Sequence, residues 1–247
     1  IISQRAALPR TLSSDLAAYH SINYGAFYDD LQFALTALWP AQAAKKLGVK
    51  KIVLGECGHA HKALTVIADR VLPQELNIPR ESCFPILRDI VLSGKIALDP
   101  LRNNFPVTLH DPCSVVRLMG VNRPQREILH HICPQFREMN PHGAENYCCG
   151  GGSGFAIMSR NNIEAWRNNI SGRRKMQQIC QAFGDCLGPE TQKYICAPCS
   201  NCKGQIREML EHSHLLEKNS LQHGGIVEPL GNAMFYVNPG LIKLEEE

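Results

Sequence analysis

No stretch of this chain reaches the about eighteen consecutive uncharged apolar residues that a transmembrane helix needs, which excludes such a helix within it. Aromatic residues are scarce at 6%, no basic block interleaves with them, and the formal net charge is only +3. The footprint of a nucleic-acid binder is therefore missing, and no nucleic-acid partner is expected. Cysteine, by contrast, is plentiful: there are 11 in 247 residues. An odd count in a chain far longer than a disulfide-stapled miniprotein argues against a secreted disulfide framework and for a reducing compartment. A 44% hydrophobic content suffices for one large or two small domains. The opening Ile1-Ile2, without Met, reads as a fragment or a processed subunit.

The cysteines are grouped. Cys148-Cys149-Gly150-Gly151-Gly152-Ser153-Gly154 lies between His110-Asp111-Pro112-Cys113 upstream and Cys196-Ala197-Pro198-Cys199-Ser200-Asn201-Cys202 downstream. A tetrahedral zinc ion takes four ligands, usually in spaced pairs. Neighbouring cysteines point their sulfurs in different directions and suit separate metal atoms, so a multi-iron centre is expected. Gly150, Gly151 and Gly152 fit close backbone approach to a bulky anionic cofactor, because glycine has no Cβ and successive N–H groups form a concave nest. The alternative for this run is a flexible loop.

Acidic start, apolar spacing and a Lys-Lys-Leu-Gly stop predict an amphipathic helix over Asp29 to Leu47, kinked or split at Pro40. Strands are expected at Lys50–Leu54, Pro106–His110 and Gln192–Cys196. Helices are expected near His59–Asp69, Arg123–Cys133, Arg173–Phe183 and Lys203–His212. This alternation predicts a parallel α/β fold, with ligands outside the carboxyl ends of the strands, where Cys113 and Cys199 lie.

From Pro106 to Leu210 these motifs resemble the cysteine-rich CCG domain of heterodisulfide reductase catalytic subunits. Within that family they are most similar to the K subunits of Dsr-type membrane complexes of sulfate reducers. The resemblance implies a non-cubane [4Fe-4S] cluster held by Cys113, Cys148, Cys149, Cys199 and Cys202. Cys196 offers a second frame for the last Cys-x-x-Cys. Cys199 and Cys202 are preferred because they run into a helix whose N-terminus favours thiolate.

Laying the chain over itself pairs Cys57 with Cys199 and Ala60 with Cys202, and brings Leu12-Ser13-Ser14 near the place of Tyr147-Cys148-Cys149. Two pseudo-repeated halves with short parallel sheets flanked by helices follow: a degenerate, N-terminally truncated CCG-like half over 1–100 that has lost its ligands, and a cluster-binding half over 101–247. One cluster is expected, not two.

No catalytic residue is assigned beyond the cluster itself. Cys57 and His59 either line the cleft between the halves or form a vestigial turn. His110 and Asp111 either support the ligands through hydrogen bonds or simply make a turn. Arg117 either meets an anionic substrate or faces solvent. Cys83, Cys133, Cys180 and Cys186 show no ligand spacing and read as small buried hydrophobes.

By resemblance, the function is iron–sulfur reduction of a disulfide or polysulfide, or the reverse, in sulfur metabolism. The implied partners are other subunits of a membrane-associated redox complex and a small disulfide- or persulfide-carrying protein. The implied location is the cytoplasmic side, attached to the inner membrane face through those subunits. Two alternatives stay open: an electron-relay subunit of a glycolate, glycerol-3-phosphate or lactate oxidation system, and a zinc-stabilised interaction module. A vicinal Cys148–Cys149 disulfide would leave the other three cysteines unexplained.

Overall fold

A computed structural model describes residues 2–11, 30–152 and 160–235. Its architecture is α/β with two parallel sheets. Strands β1 (Ile52–Leu54) and β2 (Arg80–Ser82) form a pair in which Ile52 lies opposite Arg80. The second sheet has the order β4-β3-β5-β6, all parallel: β3 is Val107–Leu109, β4 Phe136–Arg137, β5 Lys193–Cys196 and β6 Leu221–Gly224.

The two central strands are buried at every position, as expected of parallel strands covered on both faces. Their side chains alternate between two cores. Tyr194 and Cys196 join Phe84, Ile90 and Val91 of α3 (Cys83–Leu92) and Ile128, Leu129 and Ile132 of α5 (Arg123–Ile132). Ile195 points to the opposite face, among Ile179 of α6 (Arg173–Ala182) and Ile206, Met209 and Leu210 of α7 (Ser200–His212). Helix α5 is read readily: Pro124 starts it, and Gln125, Ile128, Leu129 and Ile132 form its buried stripe.

Helix α1 (Asp30–Lys46) runs unbroken through Pro40, so the expected split does not occur. Helix α2 (Gly58–His61) continues through a π-helical stretch, Lys62–Ile67, into Ala68–Val71. Helix α7 begins three residues before the expected Lys203, which makes Cys199 its N-cap residue. The missed strands β2, β4 and β6 are two to four residues long and carry Arg, Glu, Gln and His in place of an apolar pattern. They are held by a parallel neighbour's ladder more than by side-chain burial. Ser13 lies outside the described residues, as do Ser153 and Gly154.

Glu56, just past β1, joins the two sheets. Its Oε1 accepts from the N–H groups of Ile226 and Val227, both at 2.9 Å, at the start of α8 (Val227–Ala233), while its carbonyl accepts from Ser200 N at 3.2 Å. Burial, then the nearby Glu228, pushes the Glu56 carboxyl from 4.5 up to about 7. Stability from such a raised acid is fully present below pH 4.5 and is lost as the pH rises through the folded value. Glu56→Gln keeps the Oε1 acceptor and removes the ionisation. Relative to wild type, this variant is expected to gain roughly 2–3 kcal/mol between pH 5 and pH 8. Urea unfolding across that range checks this, and a pH-independent difference contradicts it.

Candidate metal centre

Strand β3 connects through α4 (Cys113–Val116) and α5 to β4 on one side, whereas β5 lies on its other side. The crevice between the carboxyl ends of β3 and β5 is thus the sheet's switch point, where α/β folds bind ligands. The two ends stay level past the strands: Leu109 lies opposite Cys196, and His110 N donates to Cys196 O at 2.8 Å. The next turns place Cys113 at the head of α4 and Cys199 and Cys202 at the head of α7.

The Cys148-Cys149 loop descends between them, and the five sulfurs form one connected series. The Cys113 thiol is hydrogen-bonded to Cys148, Cys148 to Cys149, Cys149 Sγ to Cys202 Sγ at 3.4 Å, and Cys202 to Cys199, all five being free cysteines. Cysteines of the three motifs, 35 to 89 positions apart along the chain, meet here because two strand ends and one loop converge. Cys149, Cys199 and Cys202 are buried, Cys113 is half-buried and Cys148 is exposed. Hydrogen bonds from neighbouring sulfurs pull Cys148 and Cys199 below the ordinary thiol range and push Cys113, Cys149 and Cys202 above it. Thiols so closely hydrogen-bonded to one another are strongly coupled, and a cationic centre bound among them would replace their protons.

The glycines shape the other wall. Gly150 N and Gly151 N each donate to a preceding sulfur, Cys148 and Cys149 respectively, at 3.4 Å. Gly150 sits at φ +87, and a Cβ there would stand 2.6 Å from Ser171 Oγ and 2.9 Å from Gly172 N. A Cβ on Gly151 would meet Gln205 Cβ at 2.7 Å, whereas one on Gly152 meets nothing within 4 Å. The three adjacent glycines are therefore unequal. Gly150→Ala is expected to destabilise the fold by about 1–3 kcal/mol, from strain at positive φ and the clash with backbone. Gly152→Ala is expected to be near neutral, and thermal unfolding of the two variants checks the contrast.

A polar shell backs the sulfurs. Asp111 is gripped by Arg126 through two bonds of 2.8 and 2.6 Å, and its Oδ2 also accepts from Gly143 N at 2.6 Å. His110 is 1% exposed, and its Nε2 has no hydrogen-bond partner among the described residues. One ring nitrogen of His110 and the sulfurs of Cys149 and Cys202 all lie within 4.8 Å of one another. Behind His110 stand Asn146 and the fully buried Lys175, whose Nζ donates to Asn146 Oδ1 at 2.7 Å.

Lys175 and Asn146 escape sequence reasoning, although one signal was available. Lys175, Gln178 and Ile179 share the buried stripe of α6, and a lysine on such a stripe requires a buried partner. Arg117 is exposed, as its solvent-facing reading expects, and it also donates to Ala144 O at 2.8 Å and Asn146 O at 2.7 Å, pinning the loop that leads to the cysteine pair.

Cys57 and His59 border the centre from the N-terminal side. Cys57 Sγ caps α2 by accepting from Ala60 N at 3.4 Å, and its thiol, raised by burial, also touches Ser200. The His59 side chain bonds both Cys199 and Asn201, and Gly58 N donates to Cys199 Sγ at 3.3 Å. Cys196 is fully buried, where burial raises its thiol far above the ordinary range, and it packs in the first core with Cys133, not in the second core that holds Cys149, Cys199 and Cys202. Cys133 is buried as expected, while Cys83, Cys180 and Cys186 are half-buried.

Residues 107–207 match the family model of the cysteine-rich domain CCG. The Hdr-like menaquinol oxidoreductase iron-sulfur subunit 2 of Archaeoglobus fulgidus is 25% identical over 248 residues, covering 86% of this chain and 42% of that protein. Its counterpart in Archaeoglobus profundus is 25% identical with the same coverage. A subunit of the dihydromethanophenazine:CoB--CoM heterodisulfide reductase of Methanosarcina mazei is 36% identical over 114 residues, covering 46% of this chain and 27% of that protein. This chain spans less than half the length of these curated relatives. No solved structure matches it. No helix among the described residues is long and apolar enough to cross a membrane. The Cys-Cys-Gly loop, both flanking cysteine motifs and the match to CCG all fall on the sheet of β3 and β5, so residues 107–207 carry a cysteine-rich CCG domain, and the chain is similar to heterodisulfide-reductase-like iron-sulfur subunits.

Proposed function

We propose that Cys113, Cys148, Cys149, Cys199 and Cys202 hold an iron–sulfur cluster of the non-cubane [4Fe-4S] type, and that this centre reduces a disulfide or polysulfide, or runs in reverse. The observation that carries the reading is the unbroken series of five sulfurs at the switch point. Five soft donors exceed the four positions of a structural zinc ion, and the backbone N–H groups of Gly150 and Gly151 aim at the sulfurs as anion-binding cradles do. Names of relatives as iron-sulfur subunits of an Hdr-like menaquinol oxidoreductase support the same cofactor class.

When bound, the cluster supplies one-electron chemistry and iron sites with affinity for sulfur. This chain's residues do the rest. Buried Cys149, Cys199 and Cys202 keep water from the inner side, and exposed Cys148 with half-buried Cys113 leaves the outer side open to a substrate. Cys57 and His59 border the opening from the N-terminal segment, consistent with a degenerate half that keeps the fold without ligands of its own. A disulfide lying against the open side takes up two electrons and two protons, its S–S bond breaks, and two thiols leave. The electrons come from further clusters on partner subunits of a membrane-associated complex that exchanges with a quinone, and the disulfide is carried by a small partner protein. In this reading the chain works at the cytoplasmic membrane face.

The test uses protein reconstituted anaerobically with iron and sulfide. With reduced methyl viologen as donor, addition of a thiol-derived disulfide is expected to oxidise the dye and release two thiols for each disulfide consumed. A cluster that the dye reduces without any thiol release contradicts disulfide chemistry.

A further inference from the structure

The polar chain behind the sulfurs fixes a proton. Asn146 bridges three groups: its Oδ1 faces Lys175 Nζ at 2.7 Å, and its Nδ2 faces Asp111 O at 3.3 Å and His110 Nδ1 at 3.4 Å. An ammonium group only donates and a backbone carbonyl only accepts, so the amide has one satisfactory orientation. Flipped, it would set NH2 against the lysine and oxygen against the carbonyl. With Nδ2 as the donor, His110 Nδ1 must accept. A neutral ring then carries its hydrogen on Nε2, which is buried without a hydrogen-bond partner among the described residues, on a ring of which one nitrogen lies within 4.8 Å of the Cys149 and Cys202 sulfurs.

Resting on the cluster reading above, we infer that Lys175, Asn146 and His110 form a hydrogen-bonded relay whose end, the Nε2–H of His110, donates to the cluster's sulfur at Cys149 and Cys202, making His110 a positioning residue and not a metal ligand. A ligand would need the lone pair that the relay assigns to Nδ1. Lys175 is in turn held by Gln178 and Met139 Sδ, so the relay is anchored in the second core. A donor to cluster sulfur favours the reduced, more negative state, so the relay raises the reduction potential.

Two measurements decide the inference. In wild-type protein without metal, imidazole 15N shifts of His110 are expected to report the Nε2–H tautomer, and the Nδ1–H tautomer overturns the relay whether or not any cluster binds. In reconstituted protein, redox titration monitored by electron paramagnetic resonance is expected to place His110→Phe and Asn146→Leu at more negative potentials than wild type. His110→Gln should lie between them and wild type, and iron content should be unchanged throughout. Unshifted potentials overturn the inference. So does iron loss on His110→Phe with strong 15N coupling in labelled wild type, the mark of a direct ligand. A wild type that binds no iron defeats the cluster reading instead, and the tautomer measurement still stands apart from it.

Discussion

Cys149→Ala is expected to abolish the metal centre, taking iron from about four per chain to fewer than one. Cys149 occupies the middle of the sulfur series, touching Cys148 on one side and Cys202 on the other. It is 3% exposed, so water cannot replace the lost ligand readily. Its removal splits the series, leaving Cys113 with Cys148 and Cys199 with Cys202 as separate pairs. Cys196→Ala is the matched control, since that thiol is as deeply buried and lies three positions before Cys199 but packs in the same core as Tyr194. It is expected to keep full iron while losing some packing. Iron and sulfide assays on both variants, reconstituted in parallel, check the contrast. Retained iron in Cys149→Ala, or its loss in Cys196→Ala, would mean that the sulfurs are wrongly assigned.

Asp111→Ala is expected to cost the fold roughly 3–5 kcal/mol, the range for breaking a buried ion pair by removing one partner. The Asp111 side chain is 1% exposed and Arg126 15%. Its loss leaves the guanidinium with Glu138, at 2.8 Å, as its one charged partner among the described residues, and strips Gly143 N of its acceptor. Because Gly143 opens the turn that carries the chain to Asn146 and the cysteine pair, the damage should spread from stability to cofactor loading. Chemical denaturation of the metal-free variant measures the first effect, and iron uptake by the folded fraction the second. Replacing both partners, as Asp111→Leu with Arg126→Met, is expected to recover part of the stability, since no unpaired charge then remains buried. A single variant within about 1 kcal/mol of wild type would show that the pair is not a principal support.

The α/β class and the three strand–turn–helix units could be read from the sequence because short, mostly apolar runs ended at turn residues. Val107–Leu109 and Lys193–Cys196 are buried on both faces, and their composition shows it. Sheet order was not legible. That β5 pairs with β3 and not with β4 depends on strands whose own residues, such as Phe136–Arg137, carry almost no pattern.

For the site, the cysteine motifs pointed to five sulfurs that the fold does bring together, since adjacent cysteines running into glycines suit little besides a metal centre. The polar shell was invisible for a different reason. Lys175, Asn146 and Arg126 act through partners 15 to 36 positions away, and no local spacing announces such pairings. The same holds for Gly150 and Gly152, alike as letters but distinguished by a serine hydroxyl and a backbone nitrogen supplied from residues 171 and 172. Pro40 shows the converse, a local rule overridden: the helix around it continues, with Ala37, Ala41 and Ala44 buried along one side.

The central claim is that one multi-iron centre is held by five cysteines of a single sheet end. Anaerobic reconstitution followed by iron, zinc and acid-labile sulfide analysis, together with electron paramagnetic resonance of the same sample, tests it most directly. About four irons and four sulfides per chain, with a paramagnetic signal in one oxidation state, are predicted. One zinc per chain with no sulfide would contradict the account, and about eight irons would contradict a single centre.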